Sequence, residues 1–239
     1  MCKTKPKNYE AKYLGRFKGD FSYVVKNLIG GVMKIVFCGP PHSGKSVFIA
    51  NVERYLPSDG YTVIRGCPDG EGVWSNNKDQ RITQLVRKKG KFTPEFIQEV
   101  NNIIDNQENP IIIVDVGGVR SKENEEIFNH CDSFVVLSSN PEETMEWIKF
   151  GENLGLNCIS ALDSSLEGKE KIYGTTPYLT GLITGLERGT YLENSNVLKS
   201  LASTMIQKSN YSQFKKDMTD VLDVNNLGIE LGLRRNKDI

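Results

Sequence analysis

The densest chemical signal in the chain is an eight-residue run, Gly39-Pro40-Pro41-His42-Ser43-Gly44-Lys45-Ser46. Its spacing, Gly-x-x-x-x-Gly-Lys-Ser, suits a loop that wraps phosphate groups with its own backbone. The amides of residues 43–47 converge on an anion, and a helix starting behind them adds partial positive charge. Gly39 opens the turn and Gly44 lets the backbone come close. Lys45 reaches the β- and γ-phosphates of a nucleotide, and the Ser46 hydroxyl faces Mg²⁺. Pro40 and Pro41 carry no N–H, but they lie on the entry side and stiffen the loop. His42 fills a variable position and is read as loop filling, not as a base. Val47 supplies the last amide of the cradle.

Three further groups could act with this loop. Asp115 ends the apolar run Ile111-Ile112-Ile113-Val114. A carboxylate there is the expected partner of Mg²⁺, direct or through water. Gly118 follows three residues later and would let a backbone N–H approach the terminal phosphate. Cys67-Pro68-Asp69-Gly70-Glu71-Gly72-Val73-Trp74 packs two carboxylates and two glycines into one turn. Asp69 could orient a water or accept a hydroxyl proton, and Glu71 is the weaker candidate. A plain Asp/Gly turn with a core Trp is the competing explanation. The basic run Arg81, Arg87, Lys88, Lys89 and Lys91 reads more readily as a solvated helix face than as a lid. Arg188, in the Gly- and Thr-rich stretch 180–189, is a candidate cation for developing negative charge, against a structural turn as the bland alternative.

The elements that position these groups follow from hydrophobic patterning. Apolar runs at 33–38, 61–65, 111–115, 134–137 and 157–162 read as strands, and helical spacing marks 46–56, 94–106, 122–130, 141–153 and 196–222. Thr93, Ser121 and Asn140 stand at N-cap positions, and Pro94 and Pro141 open their helices. The strands are continuous apolar runs that alternate with helices. This pattern predicts a doubly wound α/β fold: a mainly parallel sheet of about five strands with helices on both faces, followed by C-terminal helices. Ligand then sits at the carboxyl ends of the strands.

Three segments divide the 239 residues. Residues 1–32 form an arm with seven Lys/Arg and two acidic residues, 33–222 form the nucleotide-binding domain, and 223–239 form a tail. Formal net charge is zero, from 30 basic and 30 acidic residues, which argues against an all-over polyanion binder but leaves a local basic patch open. Five scattered cysteines without a CxxC pair point to a reducing, cytoplasmic setting, and two histidines make a zinc site improbable. No apolar run has the length of a membrane span, so no membrane partner is expected.

The Gly39-to-Ser46 loop, in its strand–loop–helix setting, resembles the P-loop NTPase superfamily over about residues 33–165. Residue 40 is Pro, so the extra lysine of MinD- and ParA-like ATPases is absent. The combination GPPHSGKS, CPDGEGVW, the Asp115 strand and TGLERG resembles the P-loop domain attached to type III CRISPR-associated ring nucleases, which clear cyclic oligoadenylate. That similarity spans about residues 33–210. Only 32 residues precede Met33, too few for a nuclease domain, so nuclease activity is not implied. The resemblance carries over residues 39–46 and Asp115 alone, with Mg²⁺ and ATP as cofactors.

The functional expectation is an ATPase, with an accessory role in nucleic-acid defence as one setting. A kinase acting on a small molecule or nucleotide is the alternative, and a nucleotide-gated interaction module with little turnover is a further one. No NKxD sequence supports guanine, so ATP is the default. A protein partner or homodimer stays open, as does a nucleic acid or cyclic oligonucleotide.

Overall fold

The computed structural model describes residues 32–68 and 92–209. The arm, Asp69, Glu71, the basic run at 81–91 and the tail lie outside these described residues.

Strand β1 (Met33–Cys38) enters the 39–44 loop, and α1 (Lys45–Val52) leaves it, extended by a 3₁₀ turn (Glu53–Tyr55). β2 (Tyr61–Arg65) follows, then α2 (Pro94–Asp105), β3 (Ile111–Asp115), α3 (Lys122–Phe128), β4 (Ser133–Ser138) and α4 (Pro141–Asn153). β5 (Asn157–Ser165), β6 (Lys171–Gly174), β7 (Leu179–Thr184) and α5 (Asn196–Lys208) complete the order. The sheet runs β2-β3-β1-β4-β5-β7-β6, parallel except for the antiparallel β6–β7 edge pair.

The caps that the sequence marks form as expected. Thr93 Oγ1 accepts from the Phe96 N–H at 3.2 Å, and Asn140 Oδ1 accepts from the Glu142 N–H at 2.8 Å. Each satisfies one amide that a helix start leaves unpaired. Ser121 Oγ accepts from the Asn124 N–H more loosely, at 3.4 Å.

Alternate strand residues build two cores. On one face Ile35, Phe37, Ile111, Ile113, Val135 and Leu137 pack against α1 and α5. On the other Val36, Ile112, Val114, Phe134 and Val136 pack against α2, α3 and α4. All five residues of β3 are buried, as a strand covered on both faces requires. Each fully buried aliphatic side chain contributes about 1.5–3 kcal/mol relative to exposure.

The fold class therefore stands, with two strands more than the sequence reading counted. β5 runs on to Ser165, and β6 and β7 extend the sheet. The Gly- and Thr-rich stretch at 180–189 is strand up to Thr184. Its burial alternates strictly from Leu179, the pattern of a strand packed on one face, which a search for continuous apolar runs passes over. The last helix runs to Lys208, where Ser209 turns extended; the rest of the helix read over 196–222 lies outside the described residues.

Candidate functional site

Parallel pairing brings the chemistry to one edge. β1 lies between β3 and β4, so the 39–44 loop emerges beside Asp115 on one side and the end of β4 on the other. The loop needs its unusual residues. Gly39 has φ +141°, and a Cβ there would stand 1.9 Å from the Leu137 carbonyl oxygen. His42 adopts φ +62°, a left-handed seat in which His is enriched among non-glycine residues. Gly44 is the N-cap of α1 and gives it no side-chain cap, so the first amides of that helix keep their donors.

Lys45 folds back over the loop. Its Nζ donates to the Gly39 carbonyl at 2.9 Å and to the Pro40 carbonyl at 2.8 Å. Burial pushes its ammonium below the usual lysine range, while Asp115 and the thiols of Cys38 and Cys67 pull it back. The Ser46 hydroxyl donates to Asp115 Oδ2 at 3.1 Å. Ser43 Oγ is buried without a hydrogen-bond partner, an orphan acceptor and donor within the cradle. A triphosphate and its divalent cation fit this set: backbone donors, one ammonium, a hydroxyl beside a carboxylate, and an unpaired buried hydroxyl.

The loop after β3 closes one side. A Cβ on Gly118 would stand 2.5 Å from the Pro41 nitrogen, so glycine is what lets the two loops touch. Buried Asn124 holds this segment by donating to the carbonyls of Gly117 at 3.1 Å and Val119 at 2.6 Å. The other side is closed by the turn after β7. Leu186 packs on Gly44, where a Cβ would meet its own at 3.2 Å. Asn51 of α1 donates to the Thr190 carbonyl at 3.1 Å and accepts from the Leu192 N–H at 2.6 Å. Tyr55 OH donates to the Leu192 carbonyl at 2.8 Å.

The structure thus brings together Gly39, Pro40, Pro41, Ser43, Gly44, Lys45, Ser46, Asp115 and Gly118. Val47 sits in the first turn of α1. His42 is exposed, as is Arg188, which lies in the turn two residues past Leu186. Asp69 and Glu71 lie outside the described residues. Sequence reasoning missed Arg65, which pairs with Asp115, and Asn51, Tyr55, Leu186 and Asn124, which hold the walls. Two of these left a signal: Arg65 ends β2 as Asp115 ends β3, and Asn51 interrupts an apolar helix face.

No family model matches the chain, and no curated protein matches it. Among solved structures it is similar to one described as a plasmid partition protein from Borrelia burgdorferi B31, bound to AMPPNP. That likeness has 12% identity and a TM-score of 0.47, and it covers 78% of this chain and all of the other. It is also similar to a LAO/AO transport system kinase at 13% identity and a TM-score of 0.40, covering 88% of this chain and 72% of that one. At these values neither likeness assigns an activity. What defines the class is the α/β fold itself, a mainly parallel sheet with a phosphate-loop sequence between β1 and α1. Among the described residues, no helix is long and apolar enough to cross a membrane.

Proposed function

We propose that this chain binds a magnesium nucleoside triphosphate, ATP by default, on residues 39–46 and hydrolyses it. The observation that supports this reading most is the meeting of Lys45, Ser46 and Asp115 at an uncapped helix start. Lys45 already lies over the loop, where its ammonium offsets charge developing between the β- and γ-phosphates. The Ser46 hydroxyl and the Asp115 carboxylate would hold Mg²⁺, which when bound supplies positive charge to the phosphates. Gly118, pressed on Pro41, sets the neighbouring loop at the phosphate end. Asp69 is the proposed group that orients a water. Catalysis of this kind is mostly positioning and electrostatics, since phosphoryl transfer leaves little covalent work for the protein.

The walls favour a preformed site over a loose loop. α1 is tied to the turn at 185–192 through Asn51 and Tyr55, and the 116–120 loop is tied down through Asn124. A setting in CRISPR-type defence rests on the sequence resemblance of the four segments, and cyclic oligoadenylate belongs in any ligand screen for that reason. A phosphate-release assay tests the reaction. Release from Mg-ATP alone is the expected result. Release only with an added acceptor would make the chain a kinase, and tight binding without release would make it a nucleotide-gated module.

A further inference from the structure

Asp115 does not serve Ser46 alone. Arg65 and Asp115 are register partners at the ends of β2 and β3, and both face α1. Arg65 Nη1 donates to Asp115 Oδ2, the same oxygen that accepts from Ser46. The pair is nearly shielded from water, with side-chain exposures of 17% for Arg65 and 9% for Asp115. A buried pair of this kind holds because losing either partner strands the other charge. Lys45 also feels the Asp115 charge, so two cations face one carboxylate at this point. Among the described residues, no three His, Cys, Asp or Glu side chains gather to hold a metal.

A carboxylate already matched by a guanidinium attracts a free divalent cation weakly. The same match removes the repulsion that a bare Asp115 would present to phosphates. We propose that Arg65 is a positioning residue that neutralises Asp115 and thereby sets how far nucleotide binding depends on the metal. The inference rests on the reading of residues 39–46 as a nucleotide site. In the wild type, Arg65 lets the triphosphate bind without metal.

The experiment is calorimetric titration of the full chain with ATP, once in excess Mg²⁺ and once in EDTA. The readout is the ratio of the two dissociation constants. For the wild type the ratio should stay within roughly tenfold. For Arg65→Met the bare carboxylate should weaken metal-free binding by about tenfold or more, the scale of one charge-assisted contact, while Mg-ATP binding holds. Arg65→Lys, which keeps the charge without the fork, should fall between. Asp115→Asn is isosteric and tests the same idea from the other side. It should lose the benefit of Mg²⁺ while metal-free binding is kept or strengthened.

Equal weakening of both constants in Arg65→Met would mark a merely structural role and overturn the proposal. So would an unchanged ratio. If Arg65→Met fails to fold, Asp115→Asn decides: loss of metal-free affinity in step with Mg-ATP affinity overturns it. A wild type that binds no ATP under either condition sinks the nucleotide-site reading itself, which is a distinct outcome.

Discussion

The two ends of the sheet both carry charge clusters, and they differ in what the charges are for. At the amino end of β1, Lys34 Nζ pairs with Asp105 Oδ1 at 2.8 Å, and His130 Nδ1 meets Asp105 Oδ2 at 2.8 Å. Asp132 Oδ2 accepts from the Lys34 N–H at 2.9 Å. These groups tie α2, the turn after α3 and the start of β1 together, and Asp105 is 46% exposed. At the carboxyl end, Arg65 and Asp115 form a shielded pair, with half-buried Lys45 and the exposed Ser46 beside it. Water softens the first cluster, so it is a modest clamp. In the second, burial pushes the Lys45 ammonium below the usual lysine range, and Asp115 partly offsets this.

Breaking the carboxyl-end cluster should therefore cost binding, and breaking the amino-end cluster should cost only stability. The largest effect belongs to Lys45→Ala. Nucleotide affinity should fall by about a hundredfold or more, as loss of a charged contact in a shielded site implies. Its melting temperature should change little. The folded ammonium titrates below the unfolded one, so its charge opposes folding at neutral pH and is relieved only as pH rises toward 10.5. A large fall in melting temperature, read by circular dichroism, would mean that Lys45 is part of the scaffold.

Asn51→Ala comes next, since it should blur the distinction. It frees the Leu192 N–H and the Thr190 carbonyl while leaving Lys45, Ser46 and Asp115 intact. Each lost part-buried hydrogen bond costs about 0.5–1.5 kcal/mol. Urea unfolding should show that loss, with a smaller loss of affinity as Leu186 loosens from Gly44. The smallest effect is Asp105→Asn, worth about 0.2–1 kcal/mol in low salt and less in high salt. Asp105 is partly desolvated, which raises its carboxyl, but hydrogen bonds from Lys34 and His130 outweigh this and hold it below the usual range. Its contribution is thus present above the ordinary carboxylate pKa and disappears as pH falls through the lowered one. A pH series of melting curves should show wild type and Asp105→Asn converging in acid, with nucleotide affinity at neutral pH equal in the two.

The same contrast explains what could be read without coordinates. The loop at 39–46 was legible because phosphate binding by backbone needs glycines at fixed spacing, and a strand and a helix flank it. Asp115 was legible because it ends the most apolar run in the chain. Arg65 was not, because its importance comes from register: only the pairing of β2 with β3 sets it opposite Asp115. Gly118 was read as a phosphate-sensing amide, and its close approach to Pro41 adds a packing reason that spacing does not reveal. β7 is hidden in the sequence because Thr180, Gly181 and Thr184 look like turn residues, whereas Leu179, Gly181 and Ile183 are the buried alternates of a strand. Local patterns carried the elements with strong periodicity; contacts between distant segments carried the walls of the site.

The carboxyl end of this sheet is proposed to hold a nucleoside triphosphate. Isothermal titration of the full chain with Mg-ATP tests it most directly. One saturable site, weakened by about a hundredfold or more in Lys45→Ala and retained in Asp105→Asn, is the expected result. No heat of binding at millimolar Mg-ATP or Mg-GTP, or equal binding by wild type and Lys45→Ala, would contradict it.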